Sequence, residues 1–201
     1  MDYYKHNIMK NFLKLLDGAL VNPLLLAIHR FDKSRGDIWK EDTYLRDYPQ
    51  GPFGDTESVI LRFPPRSVLE TKEELKNHLS TFDQHENVDQ DIFKLLPEAR
   101  LLIFGLMALV QGERLGRCII NKLKPGGKIY RHADTKDHAE YWDRFHIVLQ
   151  SEPGSMFYCD DEQVMMQTGE IWWFNNALEH EVINNSSEDR IHLVVDIRTS
   201  K

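Results

Sequence analysis

The segment G-G-K-I-Y-R-H-A-D, Gly126 to Asp134, is followed by R-F-H-I-V-L-Q, Arg144 to Gln150. E-I-W-W-F-N-N-A-L-E-H-E-V, Glu170 to Val182, and R-I-H-L-V-V-D-I-R, Arg190 to Arg198, come next. Each piece reads as a short strand bounded by turn residues. Working outward from them, Arg117 to Arg198 divides into eight strands: R-C-I-I-N-K-L, K-I-Y-R-H, F-H-I-V-L-Q, S-M-F-Y-C, Q-V-M-M-Q, E-I-W-W-F, H-E-V-I-N and R-I-H-L-V-V-D. Pro125-Gly126-Gly127, Pro153-Gly154, Asp160-Asp161, Thr168-Gly169, Asn175-Asn176 and Asn185-Ser186 supply the turns. Eight strands at this spacing predict a double-stranded β-helix, the cupin-like jelly roll.

Strand alternation then sorts the side chains. Arg144, His146 and Val148 fall on one face of the third strand, and Arg190, His192 and Val194 on one face of the last. Polar groups on faces otherwise filled by Val and Ile predict a wet, functional interior. Within these strands His132, Asp134 and His180 form an H-x-D…H set, with Arg190 ten residues beyond the second histidine. Two imidazoles and a carboxylate on one face of a metal, with the other face open, suit non-haem Fe(II) and oxygen chemistry. The spacing of 48 places His180 on a strand across the barrel from His132. Arg190 and Arg144 offer planar forks for carboxylates, matching the two carboxylates of 2-oxoglutarate.

Composition agrees with one globular unit. The chain has 201 residues, 41% hydrophobic and 28% charged, which suits a single domain, 1–201, with one buried core. A net charge of −7 argues against a broad nucleic-acid surface. The only two cysteines, Cys118 and Cys159, form no metal or disulfide pattern. The N-terminus is too polar for a signal peptide, and no apolar run is long enough for a membrane span, so a cytoplasmic setting is expected.

The region 1–116 reads as a helical, loop-rich scaffold in front of a catalytic core at 117–198, giving an α+β chain that is mainly β. Ile8, Phe12, Leu15, Leu16 and Ala19 have helical spacing, predicting a helix over 7–20. Asn22 as N-cap with Pro23 at the first helical position opens a second. Asp32 to Asp55 loses periodicity but carries Trp39, Tyr44, Tyr48 and Phe53, which either cover the sheet edge or touch substrate. Ser58 to Phe63 alternates as a strand. Thr71 with Glu74 forms a capping box for a short helix to about Ser80. Thr81 to Asp91 is a polar loop. Ile92 to Gln111 is helical, interrupted at Pro97, and is expected to be the most buried helix.

The C-terminal half, from about Ile119 to Ile197, resembles the aspartyl/asparaginyl β-hydroxylase family of Fe(II)/2-oxoglutarate oxygenases. The likeness rests on K-P-G-G-K-I-Y-R-H, on R-F-H in the third strand, and on E-H-E-V-x-N followed by R and an apolar strand ending in D. It implies Fe(II) as metal, 2-oxoglutarate as cosubstrate and ascorbate as reductant. It also implies that His132 and His180 bind iron and that Arg190 holds the distal carboxylate of 2-oxoglutarate. Arg144 then meets the carboxylate beside the iron, with His146 in support. Asn121 stands where the family carries a small hydroxyl residue. Some members manage with two histidines, whereas this chain has Asp134 at that place, which is expected to complete an ordinary facial triad, the alternative being that it binds an outer-shell water.

The implied reaction is hydroxylation of an unactivated C–H, at the β-carbon of an aspartyl- or asparaginyl-like group. A small molecule, amino acid or flexible peptide fits better than a folded partner, since the chain shows no repeat domain for recruiting one. Two competing readings share the same barrel: a cupin-like module that holds a metal or small acid without turnover, and a metal-dependent enzyme that does not use 2-oxoglutarate. His138 and Asp137, next to Tyr141 and Trp142, belong to a loop at the barrel mouth, with substrate contact as one reading and solvent exposure as the default.

Overall fold

The computed structural model describes residues 9–47, 51–66, 83 and 85–200. In chain order its strands are β1 (Phe12–Leu16), β2 (Thr56–Phe63), β3 (Val88–Asp89), β4 (Gly112–Leu123), β5 (Lys128–His132), β6 (Asp143–Gln150), β7 (Ser155–Cys159), β8 (Glu162–Val164), β9 (Ile171–Phe174), β10 (His180–Asn184) and β11 (Arg190–Thr199). The helices are α1 (Asn22–Ser34), α2 (Asp91–Leu95), α3 (Glu98–Leu109) and α4 (Lys136–Tyr141). The strands form a seven-stranded sheet, β1-β9-β6-β11-β4-β2-β3, facing a four-stranded sheet, β5-β10-β7-β8. All pairings are antiparallel. The eight strands expected from Arg117 onward are β4 to β11, four in each sheet, and they make the double-stranded β-helix. β1, β2 and β3 widen the larger sheet from the N-terminal half.

The sequence of β11 explains how this sheet serves two environments. Ile191, Leu193, Val195 and Ile197 point to one side and join a cluster with Leu24, Ile28, Leu102, Ile103 and Leu106 from α1 and α3. Arg190, His192, Val194 and Asp196 point to the other side, between the sheets, and all four are buried. One face of the strand is thus a hydrophobic floor for helices and the other the wall of a polar chamber. A second apolar cluster fills the remaining space between the sheets with Phe12, Val148, Phe157, Met166, Trp172, Phe174 and Val182.

Helix α3 buries the stripe Ala99, Leu102, Ile103 and Leu106 but leaves Leu101 and Phe104 largely exposed, so it is amphipathic rather than wholly buried. Pro97 separates it from α2, as the sequence indicates, and Gln111 turns the chain with φ 53° before β4 begins at Gly112.

The expected helix over 7–20 is corrected: Phe12–Leu16 is strand β1, paired with β9 in the register Phe12 to Phe174. Of the apolar residues at helical spacing, Phe12 is the one buried within the strand, its ring between Phe157 (5.5 Å) and Phe174 (6.4 Å). The free edge of β9 satisfies the backbone of this segment, and the Glu162 carboxylate accepts from the N–H groups of Lys10 and Asn11, both at 2.8 Å. Tertiary pairing therefore overrides a weak periodicity.

Asn22 is likewise already inside α1, whose N-cap position is Val21 without a side-chain cap. Pro23 still sits in the first turn. The segment Asp32 to Asp55 contains the end of α1 and a turn of 3-10 helix, Ile38–Lys40. The capping box at Thr71 and its helix lie outside the described residues, as does Tyr48. Among the described residues no helix is long and apolar enough to cross a membrane.

Candidate active site

His132 ends β5 and His180 begins β10, and the two are direct partners in that antiparallel pair. This corrects the placement across the barrel: both histidines belong to neighbouring strands of the smaller sheet, their rings 4.3 Å apart. Adjacent strands bring cross-strand side chains within about 5 Å, which a shared metal requires. Asp134, two residues past His132, completes a cluster in which one ligand atom from each residue lies within 4.8 Å of the others.

The surrounding hydrogen bonds set the donor atoms. His132 Nδ1 is 2.7 Å from the Tyr130 carbonyl, and His180 Nδ1 is 2.9 Å from the Leu178 carbonyl. A carbonyl only accepts, so each Nδ1 carries the proton and each Nε2 offers its lone pair to a metal. Burial pushes both imidazoles down, and His180, also beside His132, reaches about 4, so both stay neutral at physiological pH. Asp134 receives Asn176 Nδ2 at 2.9 Å and Arg144 Nη1 at 2.7 Å, both on Oδ2. Its Oδ1 is left for a metal. Burial would raise this carboxyl, but Arg144 outweighs that and holds it below the usual carboxylate range. Two neutral Nε2 atoms and one carboxylate oxygen, on one wall of a cavity, fit a divalent metal with open positions toward the cavity.

That cavity has a volume of about 460 Å³ and runs between the sheets. Its wall includes His132, Asp134, His180, Asn121, Arg144 and His146, so the structure brings six of the seven expected site residues to one space. The seventh, Arg190, lies just behind this lining: it is 2% exposed, its Nη2 is 3.0 Å from His192 Nδ1, and its guanidinium lies 5.9 Å from the Phe157 ring. His192 in turn meets His146, Nδ1 to Nδ1, at 3.1 Å. Because the guanidinium only donates, His192 Nδ1 is an acceptor, and His146 Nδ1–H must be the other donor to it. Asn121 Oδ1 accepts from Ser58 Oγ at 2.7 Å, which leaves its Nδ2 to donate.

The two arginines stand in contrasting environments. Arg144 is clamped: Nε and Nη2 bind Asp196 at 2.7 and 3.1 Å, and Nη1 binds Asp134. Burial alone would lower its pKa, but the two carboxylates outweigh burial and push it up. Arg190 has no carboxylate partner among the described residues, and burial pushes it down to about 9. A buried cation with no counter-charge is costly unless a ligand supplies one.

Two participants escaped the sequence reading. His138, expected in an exposed loop, lies on the short helix α4, is 2% exposed, and places Nε2 3.0 Å from Asp196 Oδ2. Asp196 itself is fully buried and anchors Arg144. Its signal was present, a carboxylate on the same strand face as Arg190 and His192, but its partner was legible only in the fold. Among the loop aromatics, Trp39 is buried against the helical layer, whereas Tyr44 and Phe53 line the cavity. Glu179 and Glu181 point outward, as alternation requires, and pair with Arg131.

A comparison with curated proteins gives no match. Similar solved structures include the viral collagen prolyl hydroxylase of Paramecium Bursaria Chlorella virus-1, 14% identical over 95% of this chain and 97% of that one, with a TM-score of 0.49. Another is a Pseudomonas putida prolyl-4-hydroxylase, 14% identical over 95% and 94%, with a TM-score of 0.46. A third is an oxidoreductase of the 2OG-Fe(II) oxygenase family from Burkholderia pseudomallei, 19% identical over 71% and 67%, with a TM-score of 0.43. The sequence evidence is more direct. The aspartyl/asparaginyl beta-hydroxylase model matches residues 68–200, a span that contains every metal-facing and cation-bearing position just described, and the chain therefore belongs to that family of oxygenases.

Proposed function

We propose that the protein is an Fe(II)/2-oxoglutarate-dependent dioxygenase that hydroxylates the β-carbon of an aspartyl- or asparaginyl-like group. The observation that carries this reading is Arg190, a fully enclosed guanidinium with no carboxylate beside it among the described residues. A diacid whose far end reaches Arg190 supplies the missing charge, and its near end then faces the His132–Asp134–His180 cluster. When bound, the metal would activate dioxygen as the oxidant, with 2-oxoglutarate giving up two electrons as it leaves as succinate and CO2, so that one oxygen atom ends in succinate and the other in the hydroxyl group.

The chain's own residues then have separable tasks. His132 and His180 present Nε2 atoms held in orientation by backbone carbonyls, and Asp134 presents Oδ1. Asn121 Nδ2 and the Arg190 fork donate to the distal carboxylate. Arg144 commits its Nε–H and one Nη2–H to Asp196 and one Nη1–H to Asp134, which leaves an Nη1–H for the carboxylate nearest the metal. His146, neutral because burial and then Arg190 push it down, spends its one N–H on His192, so its ring lines the chamber beside that carboxylate without donating to it. Phe157, Phe174, Val182 and Val194 keep the chamber apolar around these groups and exclude water from the reacting centre.

The test is succinate release from 2-oxoglutarate on adding Fe(II) and ascorbate, together with intact-mass detection of one added oxygen on Asp- and Asn-containing peptides and on the free amino acids. Succinate with a hydroxylated Asx β-carbon is expected. Metal binding without any succinate would replace this reading with a binding module or an enzyme that does not use 2-oxoglutarate.

A further inference from the structure

Beside Arg144 the cavity wall carries a second arginine, which neither the metal cluster nor the cosubstrate employs. Arg117 lies on β4, on the same face as Ile119 and Asn121, and lines the cavity toward its mouth with Tyr44, Leu45, Phe63 and Pro64. Its guanidinium lies 5.1 Å from the Phe63 ring, and its Nε is buried without a hydrogen-bond partner among the described residues. No ion pair holds it among those residues, in contrast to Arg144 with its two carboxylates. We propose that Arg117 is the anion-binding group of the prime-substrate subsite, so that the substrate carries a carboxylate that docks at the cavity mouth, apart from the cosubstrate. This rests on the oxygenase reading given above.

Distance separates the two anion sites. Arg190 is opposite Leu123 in the β11–β4 register, six residues along β4 from Arg117, or about 20 Å at the usual strand rise. Each guanidinium is held locally, one beside Phe157 and the other beside Phe63. A five-carbon diacid anchored on Arg190 does not span that length of strand to Arg117.

Charge gives an independent argument. With a divalent metal on Asp134 and a dianionic cosubstrate between it and Arg190, Arg144 remains answered by Asp196. The cavity's carboxylates then leave one positive charge unbalanced even with every histidine neutral, and that charge is Arg117's. Closing a substrate over it without a counter-ion would trap an unpaired cation, whereas a carboxylate forms a charge-assisted, bidentate pair. The flanking aromatic and proline surfaces suit the apolar stem of such a side chain or a peptide backbone. The proposal therefore separates two substrates that share a β-carbon: an acidic side chain or neighbour is selected, and a wholly neutral amide is not.

The experiment measures binding rather than turnover. Protein loaded with Zn(II) and saturating 2-oxoglutarate is titrated calorimetrically with N-acetyl-aspartyl amide, N-acetyl-glutamyl amide, and their asparaginyl and glutaminyl counterparts. At least one acid should bind roughly tenfold or more tightly than its amide twin. Arg117→Ala should bring the acids down to the amide level, Arg117→Lys should fall between, and 2-oxoglutarate affinity should stay within about twofold. Should Arg117→Ala not fold, Arg117→Gln, which keeps a long side chain near Phe63, takes its place. Equal binding of acid and amide, no acid binding at millimolar concentration, or a preference that survives loss of the guanidinium would each overturn the proposal. Failure of 2-oxoglutarate to bind, with the Arg117-dependent preference intact, would remove the cosubstrate reading and leave this one standing.

Discussion

In the proposed metal site a single Nε2 atom on each of two facing imidazoles would hold the ion, so His132→Ala and His180→Ala should each abolish hydroxylation while leaving the fold intact. Equilibrium dialysis against Fe(II) together with a turnover assay checks this, and full activity of either variant at saturating iron would exclude it as a ligand. Arg190 differs because the task proposed for it is recognition of the cosubstrate. Arg190→Ala removes a charge-assisted contact of about 1.5–3 kcal/mol, so the apparent 2-oxoglutarate requirement should rise roughly tenfold to hundredfold while that for the prime substrate hardly moves. An unchanged 2-oxoglutarate dependence would shift the role to Arg144 or Asn121. At this scale much could be read in the sequence: H-x-D, the distal histidine and the isolated arginine are residue types that a buried strand face does not otherwise accommodate. What could not be read was pairing. Nothing in the string reveals that Asp196 and His138 meet, or that Asp196 engages Arg144 while Arg190 has no carboxylate beside it among the described residues.

Strand β1 shows the same division one level up. Its five residues hold the edge of the larger sheet chiefly through one buried side chain, Phe12, wedged between Phe157 and Phe174. Phe12→Ala should cost about 3–5 kcal/mol of unfolding free energy, and a urea titration that shows less than about 1 kcal/mol would mean the edge repacks without it. The eight strands from Arg117 onward were legible because turn residues punctuate them regularly and both faces of β11 follow alternation. β1 was not legible, since a short segment with Phe12, Leu15 and Leu16 satisfies helical spacing as well as a strand does. Pairing with β9, more than a hundred residues away, settles it. The same limit explains His180: sequence separation says how long the loop is, not which neighbour the strand chooses.

Considered as a whole, the molecule keeps two fully buried imidazoles, His146 and His192, in the neutral form, since burial first and Arg190 next depress both. A group depressed on folding binds its proton more readily when unfolded, so it adds stability above the unfolded value and loses it on acidification. For the metal-free protein, stability should hold above pH about 6.5 and decline below it, at no more than about 1.4 kcal/mol per pH unit for each histidine. Asp196, also depressed because Arg144 and His138 outweigh its burial, adds a further loss below about pH 4. Urea titrations from pH 8 to pH 5 measure the first part, and a flat profile would mean that these rings reach solvent.

The clamp on Arg144 also bears on when the metal arrives. Asp134 already has an arginine and an asparagine as partners, so its carboxylate is neutralised whether or not a cation is bound. The two histidines are uncharged and tethered to carbonyls, so they do not repel each other in the empty site. Folding is thus not coupled to metal capture as it is in a zinc finger, where ligands gather only around the ion. The proposed site therefore predicts a barrel that forms without the ion and takes up iron last. Chelation should strip activity completely, leave the circular dichroism unchanged, lower the melting temperature only slightly, and be reversed by adding Fe(II) without a refolding step.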